Sequence, residues 1–143
     1  MSVKQLSIFV ENKPGQLAEI TSVLAQNKID IRAMSVADTQ DFGILRLIVS
    51  DIEGAKAALS SASCVVSVNS VVAVAISDEP GALMRAVSVL SDNDINIEYM
   101  YAFITMSGKH AYVVLRVTDN ERAEQLLCKN GIELVTQRDI EKL

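Results

Sequence analysis

Two short stretches decide the fold: ENKPGQL at residues 11–17 and SDEPGAL at residues 77–83. Each places a Pro-Gly pair between polar residues and a leucine, and the second lies 66 positions after the first. The match continues as far as Met34 and Met100, and beyond the next loop the offset becomes 68. A loop absorbs such an insertion at little cost. The chain is therefore two copies of one unit, which we predict at residues 1–69 and 70–143.

Each copy has the same pattern of strands and helices. A β-rich run precedes the Pro-Gly phrase, and leucines, isoleucines and alanines at helical spacing follow it. Two further strands, a second helix and a last short strand complete the unit. The order β-α-β-β-α-β predicts an α+β protein of two tandem ferredoxin-like units. Each unit should be an antiparallel four-stranded sheet with two helices on one face.

Smaller features of the units can also be predicted. Both second helices should begin with a capping box, Ser50 with Glu53 and Thr118 with Glu121. Gly131 should end the second helix of the second copy. The join VSVNSVVAV, residues 66–74, resembles a turn at its Asn-Ser pair. We expect the chain to bend there and to start a separate sheet.

The strands are apolar on both faces. In ILRLIV, residues 44–49, Ile44 and Ile48 lie opposite three aliphatic residues. In IEYMYAFI, residues 97–104, Tyr99, Tyr101 and Phe103 share one face. Helices cover only one face of each sheet, and each large apolar group buried contributes roughly 1.5–3 kcal/mol. We therefore expect the other unit or a second chain to cover the second faces, and we predict a homodimer or a larger assembly.

Composition and charge exclude several functions. The net charge is −5 and the pI about 4.8, so the surface should repel nucleic-acid phosphates. The sequence has neither a signal-peptide pattern nor an apolar run of the length that spans a membrane, so we expect a cytoplasmic protein. Cys64 and Cys128 form no CxxC pair, and we expect both to be buried without a metal or a disulfide.

The doubled pattern resembles the ACT domain, a ligand-sensing module of amino-acid metabolism. NKPGQL followed by NKIDI, and DEPGAL followed by NDINI, carry the resemblance, which covers nearly the whole chain. The first copy has Asp30 where the family often has Asn, whereas the second copy has Asn96. The resemblance implies amino-acid binding where two such domains meet, through the loop after the first strand and the start of the second strand.

The residues themselves favour such a ligand. Amide groups at a helix N-terminus attract a carboxylate, and glycine lets a ligand approach the backbone. Short polar side chains nearby can accept hydrogen bonds from an ammonium group. The candidate ligand-binding residues in the first copy are Asn12, Pro14, Gly15, Gln16, Leu17, Asp30 and Ile31. Those in the second copy are Asp78, Pro80, Gly81, Ala82, Leu83, Asn96 and Ile97.

The same residues have structural explanations that the sequence leaves open. Asn12 and Asp78 are suited to stabilising a turn, the glycines to permitting it, and the isoleucines to a core. Catalysis is not expected, because the chain has a single histidine, His110, and no nucleophile, metal or phosphate-binding motif. We therefore predict a non-catalytic amino-acid sensor without cofactor or metal, which signals to a partner enzyme or a transcription regulator. The alternative is a structural dimerisation or regulatory subunit of an enzyme of amino-acid metabolism, with ligand sites that do not work.

Overall fold

The computed structural model describes residues 2–38, 41–104 and 110–143. The first unit contains β1 (Val3–Glu11), α1 (Gln16–Gln26), β2 (Ile31–Asp38), β3 (Phe42–Val49) and α2 (Ile52–Ser61). A long strand, β4 (Val66–Ser77), leads into the second unit. There follow α3 (Ala82–Ser91), β5 (Ile97–Ala102), β6 (His110–Val117), α4 (Asn120–Lys129), β7 (Glu133–Leu134) and α5 (Gln137–Lys142). The predicted α+β class and the tandem ferredoxin-like units are confirmed.

Strand β4 belongs to both units. Residues 66–71 pair with β1, so they form the last strand of the first unit. Residues 72–77 pair with β6, and Val74 and Ala75 also pair with β7, so they form the first strand of the second unit. The expected bend and separate sheet at Asn69 are therefore wrong. The predicted boundary between residues 69 and 70 falls inside this strand and stays a prediction.

The sheet curls until its two edge strands meet. Among the described residues it runs in the order β2-β3-β1-β4-β6-β5, with β7 beside β4. Ala33 of β2 forms an antiparallel bridge with Phe103, just past the end of β5. The Ile104 N–H also donates to the Arg32 carbonyl at 2.8 Å. The second faces of the two units are thereby turned toward each other.

Three apolar cores follow from this arrangement. Leu45 and Leu47 of β3 pack under α1 and α2, and Val113 and Leu115 of β6 pack under α3 and α4. The third core lies on the faces that the four larger helices leave open. Its fully or nearly fully buried members come from both units: Val3, Ala33, Ile48, Val71, Ala73, Ala75, Val114, Val135 and Ile140. The other unit thus covers part of each second face, as expected for one of the two alternatives, the other unit or a second chain.

Helix ends differ from the prediction in detail. The N-caps of α2 and α4 are Asp51 and Asp119, whose carboxylates accept from the Gly54 and Arg122 amides. Ser50 is not a cap, because its hydroxyl accepts from the Asp30 amide at 2.9 Å. The predicted capping boxes are therefore wrong: each helix is capped one residue later, and Gly54 and Arg122 stand where a box needs Glu or Gln. Gly131, at φ 76°, follows the C-cap of α4 as expected.

Helix α5 has no counterpart in the first unit. Thr136 caps it, and Asp139 completes a capping box with the Thr136 backbone amide. Ile140 is fully buried in the third core. At this point of the first unit the chain continues as β4, so the repeat gave no signal for a helix here. None of the helices in the described ranges is long and apolar enough to cross a membrane.

The two cysteines are free, and their surroundings differ from the expectation. Cys64 is half-buried and Cys128 is exposed. The expected burial of Cys128 is therefore wrong. Burial, together with the nearby Glu19 carboxylate, raises the pKa of the Cys64 thiol.

Candidate functional site

The two Pro-Gly turns have the same backbone structure. Gly15 and Gly81 are the N-caps of α1 and α3, with φ of 91° and 89°. This left-handed conformation costs other residues roughly 1–2 kcal/mol, which explains the glycine in both copies. In the first turn the Lys13 amide donates to the Glu11 carbonyl, and in the second the Glu79 amide donates to the Ser77 carbonyl, both at 3.0 Å. Both glycines therefore allow the backbone conformation that the turn requires.

Both helix N-termini lack a side-chain cap among the described residues. A helix leaves its first amides without an intrahelical partner, and these carry a partial positive charge. In α1 the first intrahelical bond runs from Glu19 to Gly15 at 2.9 Å, and in α3 it runs from Arg85 to Gly81 at 3.0 Å. The Gln16 and Ala82 amides donate to the Lys13 and Glu79 carbonyls at 3.5 and 3.2 Å, so the amides suited to hold an anion are the two that follow each of them.

The two N-termini differ in charge. The first turn of α1 contains Glu19, whose carboxylate compensates the helix dipole. The first turn of α3 contains no acidic residue, and Arg85 lies at the matching position. Its guanidinium reaches back over the turn, since a Cβ added to Gly81 would lie 3.6 Å from Arg85 Nη1. A cation beside a helix N-terminus is unfavourable unless an anion joins it.

Arg85 forms an ion pair with Glu79. The Nη2 to Oε1 distance is 3.0 Å, and the same oxygen accepts from the Ser77 hydroxyl at 3.1 Å. Both charged side chains are more than half exposed, at 57% and 59%. Such a pair contributes at most about 1 kcal/mol, so a ligand carboxylate can replace Glu79 at little cost.

A cleft lies beside each turn. In the second unit it has a volume of about 450 Å³, between the end of β4, α3 and the turn after α4. Its polar side chains are Ser77, Arg85, Ser88, Asp92 and Asn130. The matching cleft of the first unit is smaller, about 260 Å³, and contains the carboxylates Glu11 and Glu19. The second cleft therefore suits an anionic group better than the first.

A third, small cavity lies on the other side of the first turn. It measures about 100 Å³ and is lined by residues of the turn together with Val36 and Gly43. Asn12, Gln16 and Leu17 all line it, so three of the predicted residues come together there.

The start of the second strand does not reach the turn of its own unit. Asp30 and Ile31 follow α1, whose 11 residues separate them from Gly15. At 1.5 Å per residue the helix measures about 16 Å, far more than a small amino acid spans. In the second unit Asn96 and Ile97 line a separate surface cleft of about 440 Å³ at the far end of α3.

Asp30 already has a partner within the chain. Its carboxylate forms an ion pair with Arg32, whose side chain is only 9% exposed. The Arg32 Nε atom also donates to the Ile140 carbonyl at 3.2 Å. Arg32 is not predictable from the sequence, because nothing in a β-strand pattern marks a charged residue that lies beneath a later helix.

A further polar group, between the units, was also missed. Gln5 is fully buried, and its Nε2 atom donates to the Tyr99 hydroxyl at 2.8 Å and to Asn69 Oδ1 at 3.2 Å. Tyr101 donates to the Oε1 atom of Gln5. The Arg46 guanidinium lies 3.8 Å from the centre of the Tyr99 ring. These contacts join the two units rather than line an open cleft.

The comparisons with known proteins agree with this architecture. The family described as an ACT domain pair matches residues 1–143. The chain belongs to this family. A crystal structure of protein BT0572 from Bacteroides thetaiotaomicron is 39% identical, covers 100% of this chain and 98% of that one, and has a TM-score of 0.92. A search of curated proteins finds no match.

More distant ACT structures share the fold. The ligand-free regulatory subunit of aspartate kinase from Thermus thermophilus is 15% identical over 88% of this chain and 90% of that chain, with a TM-score of 0.65. Aspartate kinase from Synechocystis is 21% identical over 93% of this chain but only 26% of its own, with a TM-score of 0.60. These two likenesses show a shared fold.

Proposed function

We propose that this ACT domain pair is a non-catalytic regulatory protein that binds a free amino acid at the α3 N-terminus. The observation that carries the proposal is the position of Arg85 over Gly81, beside a cleft of about 450 Å³. The ligand carboxylate would take the place of Glu79 on the guanidinium and accept from the amides of Leu83 and Met84, which lie between the Ala82 and Arg85 amides that donate to Glu79 and Gly81. The protein acts as a homodimer in the cytoplasm and reports to a partner enzyme or a transcription regulator.

The first unit contributes less to binding. Glu11 and Glu19 in its cleft oppose a carboxylate, and Glu19 already compensates the helix dipole. We propose that the second unit contains the working carboxylate site, and that any role of Asn12, Gln16 and Leu17 lies in the small cavity beside the first turn. Asp30 and Asn96 complete a site only if another unit or another chain brings them to a turn.

The expected affinity is modest. An amino acid has few heavy atoms, and a five-atom ligand gains at most about 7 kcal/mol. For the smallest amino acid the dissociation constant should therefore be about 10 μM or weaker. At a hundredfold excess over the dissociation constant, a ligand adds about 2.7 kcal/mol to the stability of the protein, which a thermal-shift assay detects.

A thermal-shift screen of the twenty amino acids at millimolar concentration tests the proposal. At least one amino acid should raise the melting temperature, and Arg85→Glu should abolish that shift. The matched variant Glu19→Gln, at the equivalent position of the first unit, should keep it. Gly81→Val should reduce binding because it strains the turn. If no amino acid stabilises the protein, the structural-subunit alternative is favoured.

A further inference from the structure

Helix α3 has a charged residue at each end, and both charges oppose the helix dipole. Arg85 lies in the first turn, where the dipole favours an anion. Asp92 is the C-cap, where the dipole favours a cation, and the last turn before it, residues 88–91, is uncharged. Both charges therefore weaken the helix unless each meets a partner of opposite sign.

The first unit has neither of these charges. In the repeat, Glu19 occupies the position of Arg85, and the neutral Gln26 occupies that of Asp92. Residues seven apart lie within about 20° of each other around a helix, so Arg85 and Asp92 share one face of α3. Both line the cleft of about 450 Å³. The second unit thus differs from the first by two opposite charges at the two ends of one cleft.

The carboxylate of Asp92 is available to a ligand. The residue is exposed, and within the described part of the chain its side chain has no ion-pair or hydrogen-bond partner. Arg85, by contrast, is paired with Glu79 at the other end of the cleft. An unpaired carboxylate in a cleft favours a cationic group.

The wall between the two charges is largely apolar. Val89 of α3, Ile76 of β4 and Ile132 after α4 line the cleft and are half-buried. All three pack against the core of the second unit, so they form a fixed surface. A chain of methylene groups that lies on such a surface leaves water, which is favourable.

We infer that the amino acid bound in this cleft has an unbranched side chain with a cationic end, which pairs with Asp92. The inference rests on the proposed function, because Arg85 and the amides of α3 hold the ligand carboxylate. It adds a specificity-determining residue at the far end of the same cleft. The ligand is then a basic amino acid with a terminal amine or guanidinium.

The distances agree with a long side chain. Arg85 and Asp92 are about 10 Å apart along the helix axis. The α-ammonium group of an amino acid lies only about 3 Å from its own carboxylate, so it does not reach Asp92. A terminal cation on an extended side chain lies about 6–8 Å from the carboxylate. Charge-assisted hydrogen bonds of about 2.8 Å at both ends cover the remainder.

Calorimetric titration of the full chain with lysine and norleucine tests the inference, because norleucine has the same chain length without the terminal amine. Lysine should bind at least tenfold more tightly. Asp92→Gln, which introduces the residue of the first unit, should weaken lysine to the affinity of norleucine and leave norleucine unchanged. The matched control is Asp94→Asn, which removes the same charge from a residue that lines a different cleft, and it should keep the preference for lysine.

The ligand-free variant gives an independent measurement. Asp92→Gln should raise the melting temperature of the free protein, because it removes a charge that opposes the dipole of α3. A lower melting temperature would mean that Asp92 has a structural role, and it would contradict the inference.

The titrations separate this inference from the proposed function. If norleucine binds as tightly as lysine, the inference is wrong while amino-acid binding stands. If no amino acid binds, both are wrong. A preference for lysine that survives Asp92→Gln, or that Asp94→Asn removes equally, also overturns the role of Asp92.

Discussion

Tyr101 of the second unit donates a hydrogen bond to the Oε1 atom of Gln5 in the first unit. Gln5 is fully buried on β1, and its Nε2 atom donates to Tyr99 of the same second-unit strand. One glutamine therefore has both ends of its amide engaged by the other unit. A buried amide of this kind is costly unless its donors and acceptors are paired.

Replacing Tyr101 with phenylalanine should destabilise the whole chain. The Oε1 atom of Gln5 would lose its donor while it remains buried, which costs about 1–3 kcal/mol. Urea denaturation measures the loss. Tyr99→Phe is the matched control and should cost less, because Gln5 Nε2 keeps its bond to Asn69 Oδ1. Equal losses of unfolding free energy in the two variants would show that the Tyr101 hydrogen bond contributes no more than the Tyr99 one.

Stability should fall at alkaline pH because of the same tyrosine. Burial, followed by the neighbouring Tyr99, raises the pKa of the Tyr101 hydroxyl, and Arg46 opposes the shift only partly. The unfolded chain loses this proton near pH 10 whereas the folded chain retains it, so the contribution is present below about pH 10 and is lost as the pH rises further. Urea midpoints between pH 8 and 11.5 should decline. Tyr101→Phe should flatten this decline, and an unchanged slope would exclude Tyr101 as its cause.

Gly54 should respond to alanine in opposite directions in two backgrounds. Alanine normally stabilises a helix over glycine by about 1 kcal/mol. Here an added Cβ would lie 2.3 Å from Asp51 Oδ2, the oxygen beside the one that caps the Gly54 amide. Gly54→Ala alone should therefore gain nothing or lose stability. In an Asp51→Ala background, itself about 1 kcal/mol less stable, the same change should stabilise. Additive effects in this double-mutant cycle, followed by thermal unfolding, would contradict the clash.

Truncating Ile140 should test the importance of α5. Ile140 is fully buried in the third core, and its carbonyl accepts from the nearly buried Arg32. Ile140→Ala should cost about 2–5 kcal/mol in the free energy of unfolding. Ile104→Ala, at a side chain that is 61% exposed, should change it by less than about 0.5 kcal/mol. A small effect at Ile140 would mean that α5 is dispensable for the fold.

The repeat made most of the fold predictable. The Pro-Gly phrases placed the starts of α1 and α3, and two-residue alternation assigned Leu45 and Ile48 to opposite faces of β3, as the buried cores confirm. The repeat could not predict a feature that is present in only one unit. Helix α5, which places Ile140 in the third core, has no duplicate, so a comparison of the copies does not detect it.

Contacts between the units could not be predicted from the sequence either. Gln5 and Arg32 lie on strands whose polar residues normally face solvent, and only the curled sheet buries them. The join was misjudged for a related reason. The Asn69-Ser70 pair resembles a turn, whereas residues 66–71 and 72–77 pair with different neighbours along one continuous strand. Local sequence indicates which residues fit a strand but not which partner each half of it will find.

The candidate site was only partly predictable from the residues. The glycines were identified correctly as turn residues, because a positive φ selects glycine wherever it occurs. The distinction between Glu19 and Arg85 was present in the sequence as a mismatch between the copies. Its connection with the ligand site became clear only from the structure, which places the Arg85 guanidinium over Gly81.

Strand β4 leaves no hinge between the two halves of the protein. Its backbone is already extended, so it cannot lengthen, and its ladder bonds to β1 and β6 prevent it from folding over. The deformation that remains available to β4 is a change in the twist of the strand about its own axis. We therefore expect a disturbance at Ser77, beside the second Pro-Gly turn, to reach the first unit as a change in the twist of β4.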